Sequence, residues 1–232
     1  MLTVQHLTSG YGSAKILNGV NLDLGSKEVV AILGRNGVGK TTLLKTVMGI
    51  VATQSGTTEL KGQNITKLPT HDIAKAGIGY VPQGRGIFDK LSVKENLRMG
   101  LRSRPDGSDE IPEYIYEKFP ILLERSGQLA GTLSGGQKQQ LAISRALCGD
   151  PKLLLLDEPS EGIQPNIVQE IGSFVRELVE RRDISVLIVE QNLELIGLAA
   201  DRFEIMVKGE LVHRGLTSEL NNEEMLKEYL SV

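Results

Sequence analysis

Cysteine is nearly absent from this chain: Cys148 is the only one in 232 residues. That excludes an intramolecular disulfide framework and gives no support to a cysteine-built zinc insertion. Cys148 itself reads as a small apolar residue on a helical stretch, with burial as its expected role. Long hydrophobic runs are missing too. The longest are "VVAIL" at 29–33, "LLLL" at 153–156 and "SVLIV" at 185–189, well short of the about 18–20 residues a membrane-crossing helix needs. The opening "MLTVQHLTSG" lacks a basic region followed by an apolar core, so no signal peptide is read there. A soluble, cytoplasmic chain is expected, with any membrane role reached through partners. The net charge of −3 offers no basic stripe of the sort nucleic-acid binding requires. His6, His71 and His213 lie in strand or turn contexts away from the motifs below and read as structural or solvated. There is no internal repeat, no low-complexity segment and no sustained heptad.

What is present suits one α/β domain with a sizeable core, since 40% of the residues are hydrophobic. Residues 2–7 and 16–24 alternate apolar and polar as half-buried strands do. "EVVAILG" (28–34), "IGYVPQ" (78–83), "KLLLLDE" (152–158) and "ISVLIVE" (184–190) predict strands, the first a fully buried one. "GKTTLLKTVMG" (39–49) and "IVQEIGSFVRELVERR" (167–182) have the helical period. The stretch after Gly49 reads as polar turns. Residues 88–150 read as mostly helical, with "RSRPDGSD" as a breaker. Alternating strands and helices predict parallel crossovers. The tail predicts a hairpin about Lys208-Gly209 and then a short charged helix. The expected layout is a core of 1–87 and 151–232 interrupted by a helical subdomain at 88–150.

"GRNGVGKTT" (34–42) fits G-x-x-x-x-G-K-[ST] between a buried strand and a helix. Gly34, Asn36, Gly37, Val38 and Gly39 form a loop whose N–H groups can wrap an anion at a helix N-terminus. Lys40 is expected to reach the β- and γ-phosphates, Thr41 to supply a hydroxyl to Mg²⁺, and Thr42 to complete the loop. "LLLLDEP" (153–159) brings Asp157 to the carboxyl end of a strand, where open α/β sheets place ligands. Asp157 is a candidate Mg²⁺ holder through water, and Glu158 a candidate base for an attacking water. The pattern is that of a nucleoside triphosphate site. An Asn-Lys-x-Asp guanine reader is absent.

"LSGGQ" (133–137) places two glycines at a helix start, where glycine lowers helix stability by up to about 1 kcal/mol relative to alanine. No acid, base or metal ligand accompanies them. Together with Tyr11, "GRNGVGKTT", Gln83 and "LLLLDEP", in this order and approximate spacing, the segment resembles the ABC-type ATPase family over essentially the whole chain. The resemblance implies a P-loop fold with a largely parallel core sheet, an antiparallel N-terminal β subdomain and a helical subdomain. It implies two such domains meeting head to tail around two ATP molecules. Ser134, Gly135, Gly136 and Gln137 would then contact ATP held by the opposite subunit. Tyr11 would stack on adenine, and Gln83 would touch Mg²⁺ and the attacking water. Gln191 stands where the family usually has a histidine near the γ-phosphate; it can donate a hydrogen bond but cannot become a cation near neutral pH. Gln164 replaces the usual aspartate of the turn after the catalytic glutamate.

"VEQN" and "EGIQPNIV" resemble ATPases of the branched-chain amino acid and amide importers. Within that group "GRNGVGKTT", "YVPQGRGIF", "SGGQKQQLAI" and "EGIQPNIV" look most like the urea-importer ATPase. The resemblance implies a second ATPase subunit, identical or paralogous, two membrane permeases and an external solute-binding protein, with this chain peripheral on the inner face of the membrane. A branched-chain amino acid importer is one alternative. A soluble ABC ATPase of a cluster-assembly or repair system is another, of a different class.

Overall fold

The computed structural model describes residues 1–230. The chain opens with β1 (Leu2–Tyr11) and β2 (Ala14–Leu24), a hairpin that continues beyond the expected strand ends. Then come the buried β3 (Val29–Leu33) and α1 (Lys40–Val47). The stretch expected as polar turns instead contains β4 (Thr53–Leu60), the two-residue β5 (Gln63–Asn64) and α2 (Thr70–Lys75). His71 therefore lies on a helix, not in a strand or turn. After β6 (Ile78–Val81) come α3 (Val93–Gly100), α4 (Glu113–Lys118), α5 (Pro120–Glu124) and α6 (Gly135–Leu147). The chain closes with β7 (Leu153–Asp157), α7 (Pro165–Arg182), β8 (Ser185–Glu190), α8 (Leu193–Ala199), β9 (Arg202–Val207), β10 (Glu210–Leu216) and α9 (Glu223–Leu230).

Two sheets result. One is four-stranded, in the order β2-β1-β4-β5, and antiparallel throughout. The other has six strands in the order β10-β9-β3-β8-β7-β6 and is parallel except for the β9–β10 hairpin. Its central strands are buried on both faces, and alternate residues enter different cores. Val29, Ala31, Leu33, Leu154, Leu156, Val186 and Ile188 pack with the helices that follow β6, together with α7 and α8. Val30, Ile32, Leu153, Leu155, Leu187 and Val189 pack with α1 and the antiparallel sheet. Fully apolar strands such as "LLLL" have no polar face because neither face meets water.

Cys148 is buried at the end of α6, and desolvation pushes its thiol up to about 12. It is an unreactive packing residue. His213 is packed between the rings of Phe203 and Tyr229. No helix among the described residues is long and apolar enough to cross a membrane.

Candidate nucleotide site

Register brings the loops after β3, β7 and β8 to one edge of the parallel sheet: Leu33 lies beside Glu190, and Asp157 beside Val189. The loop after β3 enters α1 through Gly39, whose φ of 117° is a conformation open mainly to glycine. No side chain caps α1 and no acidic residue occupies its first turn, which leaves that helix end receptive to an anion. Val38 anchors the loop on the core cluster around α1.

Lys40 is only 4% exposed. Its Nζ donates to the carbonyls of Gly34 (2.7 Å) and Arg35 (3.0 Å) and pairs with Glu158 Oε1 at 3.2 Å. The Thr41 hydroxyl donates to Asp157 Oδ1 at 2.9 Å, and the Tyr80 hydroxyl to Oδ2 at 3.0 Å. Burial raises the Asp157 pKa above the ordinary carboxylate value, while bonds from Thr41, Tyr80 and the Gln83 backbone pull it down. Tyr80 is pushed well above its usual value, by burial first and by Asp157 second.

β7 ends at Asp157, and the backbone turns left-handed at Glu158 (φ 46°), a turn that costs a non-glycine residue about 1 kcal/mol or more. Gln83 Nε2 donates to Glu158 Oε2 at 3.2 Å, and Gln191 Nε2 to Oε1 at 3.3 Å. Gln191 also donates to Asn36 Oδ1 at 2.7 Å. The glutamine at the histidine position thus bridges the phosphate loop and Glu158 as a neutral donor. Tyr11, half exposed at the end of β1, shares a concavity of about 360 Å³ with Asn36, Gly37, Gly39, Lys40, Thr41, Thr42, Gln83 and Glu158.

Ser134, Gly135, Gly136 and Gln137 lie elsewhere. Ser134 caps α6 through a reciprocal pair: the Gln137 N–H donates to Ser134 Oγ (3.3 Å) and the Ser134 N–H to Gln137 Oε1 (3.1 Å). These residues line a second concavity of about 500 Å³ with Gly162, Ile163 and Gln164, and it shares no lining residue with the first. The two glycines differ. A Cβ on Gly136 would meet Ile167 at 3.1 Å, a tight contact to which that side chain would have to yield by a few tenths of an ångström. A Cβ on Gly135 would meet only the Gly162 carbonyl at 3.4 Å and Arg85 Nη2 at 3.6 Å, which are ordinary contacts. Gly135 is the one whose bare backbone the chain's own packing does not require.

Three neighbours escaped the sequence reading. Tyr80 is visible only once register pairs β6 with β7. Arg145 donates to the carbonyls of Gly86 (2.8 Å) and Arg85 (3.3 Å) and lies 5.1 Å over the Phe88 ring, tying the loop after Gln83 to α6. Arg85 in turn donates to the Glu161 carbonyl at 3.1 Å. A lone arginine on an amphipathic helix carries no signal of such a role. The third, Glu190, is the last residue of β8.

The ABC transporter family is matched by residues 17–161. The chain is 39% identical over 232 residues to the high-affinity branched-chain amino acid transport ATP-binding protein BraG of Pseudomonas aeruginosa, covering 99% of each chain. It is 36% identical to the lipopolysaccharide export system ATP-binding protein LptB of Haemophilus influenzae, over 98% of this chain and 95% of that one. An ATP-binding cassette of an ABC transporter, solved in its ADP conformation, superposes with a TM-score of 0.82 at 27% identity, covering 99% of this chain and 96% of the other. With the phosphate loop, the strand-end carboxylates and the capped glycine pair in one fold of this shape, the chain belongs to the ABC transporter family and is an ATPase.

Proposed function

We propose that this chain is the ATP-hydrolysing subunit of an importer in the branched-chain amino acid and amide group. Support for hydrolysis comes above all from one observation: Lys40, Gln83 and Gln191 converge on Glu158 beside the Thr41–Asp157 pair, Gln191 also donating to Asn36, while the capped glycines line a different concavity. Support for the importer group comes from the likeness to BraG.

In this reading Tyr11 stacks on adenine and the loop Gly34–Thr42 holds the phosphates. Thr41 and Asp157 present hard oxygen donors 2.9 Å apart, the donor type Mg²⁺ prefers when phosphates and water complete its shell. Gln83 supplies a third, through its amide oxygen. Bound there, the ion neutralises phosphate charge. Water attacks the γ-phosphorus, Glu158 accepts its proton, and the bond to the β–γ bridging oxygen breaks to release ADP. Gln191 orients the carboxylate and donates toward the γ-phosphate. Ser134, Gly135, Gly136 and Gln137 grip the γ-phosphate of ATP held by a second ATPase subunit. ATP closes the pair, and hydrolysis lets it open. Residues 88–150, as a helical subdomain, and the loop after Gln83 dock on membrane permeases, placing the chain on the inner face of the membrane.

The solute does not touch this chain in such a system. The BraG likeness favours branched-chain amino acids; the segments "GRNGVGKTT", "YVPQGRGIF", "SGGQKQQLAI" and "EGIQPNIV" favour urea. Uptake of labelled leucine and labelled urea, in cells carrying wild-type protein or Glu158→Gln, tests both. The reading predicts selective loss of one uptake, and hydrolysis slower by about 10²–10⁴-fold with ATP binding kept. Loss of neither uptake, or hydrolysis at the wild-type rate, contradicts it.

A further inference from the structure

Glu190 is a buried carboxylate, 3% exposed, at the end of β8. Among the described residues, the three hydrogen bonds its carboxylate accepts all come from backbone N–H groups. Oε1 accepts from Gln191 (2.8 Å) and Asn192 (3.1 Å), and Oε2 accepts from Ser160 (3.2 Å). These donors belong to two different parts of the machinery. Gln191 reaches Glu158 and Asn36 with its side chain. Ser160 begins the turn whose Gly162, Ile163 and Gln164 line the concavity of the capped glycines.

We infer that Glu190 is a positioning residue that couples the chain's own nucleotide site to the half-site it offers a second subunit. The inference rests on the proposed function. One rigid carboxylate fixes the Gln191–Asn192 turn relative to Ser160, so a shift of Gln191 when a γ-phosphate arrives or leaves is passed to the Gly162–Gln164 edge. The chemistry calls for a carboxylate. Three donors on two oxygens need a group that only accepts. A glutamine of nearly the same size has one acceptor oxygen, so its NH₂ must face at least one of these N–H groups. If its oxygen keeps the Gln191 and Asn192 donors, the link to Ser160 is cut.

The test compares wild type, Glu190→Gln, Gln191→Ala and the double variant, as full-length chains. Mg-ATP affinity, steady-state hydrolysis and amide exchange are measured on each. Glu190→Gln is expected to lower kcat about tenfold to a hundredfold with ATP affinity kept, and to speed exchange across Ser160–Gln164. The double variant is expected to hydrolyse no more slowly than Gln191→Ala alone, because both changes break one linkage. Unchanged kcat, or losses that multiply, overturns the inference. So does a wild-type Ser160 amide that exchanges as freely as an exposed loop, a result that decides the matter even if Glu190→Gln fails to fold. Failure of wild-type protein to bind Mg-ATP would instead contradict the proposed function.

Discussion

Asp157 carries a proton-linked cost that its neighbours only partly offset. Burial raises its pKa while Thr41, Tyr80 and the Gln83 N–H lower it, and burial prevails. The folded chain therefore holds this proton more tightly than the unfolded chain does. The carboxyl favours folding below its unfolded pKa, and that contribution is lost as pH rises through its folded value. Asp157→Asn removes the ionisation, so its melting temperature relative to wild type should rise between about pH 4 and pH 7, read by calorimetry without nucleotide. A constant difference across that range would contradict the assignment. At this scale the motif residues were legible because the chemistry fixes residue type at short spacing: Lys40 and Thr41 in one loop, Asp157 and Glu158 at one strand end. Tyr80 and Glu190 were not, because each owes its place to register between strands far apart in sequence. At Gly136 the fold adds a local pressure absent from the sequence, since an added Cβ would need the Ile167 side chain to give by a few tenths of an ångström.

Among the elements, strands buried on both faces and long amphipathic helices were easiest to read. β4 was missed because "TQSGTTEL" has a single large apolar residue and a mostly exposed start, which leaves the alternation without contrast. The helical stretch at 111–126 divides because Pro120 has no N–H to donate and holds Phe119 outside the helical region, at φ −126° and ψ 74°. α8 was hidden by its shortness; Asn192, accepting from the Leu195 N–H, marks its start. A second link between elements is Arg145, whose fork fastens the loop after Gln83 to the helix beginning at Gly135. Lysine keeps the charge but not the two-pronged geometry. Arg145→Lys should lower stability by about 1 kcal/mol for the lost hydrogen bonding and reduce hydrolysis while sparing ATP affinity. Denaturant unfolding with parallel ATPase assays checks this, and unchanged values in both would contradict the role.

The whole molecule presents two separate concavities. The parallel sheet gathers the phosphate loop, the strand-end carboxylates and Gln191 at one edge. The helical segment displays Ser134–Gln137 in a concavity that shares no residue with the first. This division was legible in "LSGGQ" only as a family likeness; the separation in space needed the fold. It yields a direct test, which is calorimetric titration of the isolated chain with Mg-ATP for wild type, Lys40→Ala and Gly135→Asp. An aspartate at the first position of α6 suits a helix N-terminus and meets only ordinary contacts at its Cβ, while its charge repels a phosphate. The account predicts that Gly135→Asp binds Mg-ATP with a Kd within about threefold of wild type, under 1 kcal/mol, and that Lys40→Ala loses binding. If Gly135→Asp lost binding as completely as Lys40→Ala, the capped glycines would belong to the chain's own nucleotide site, contradicting the account.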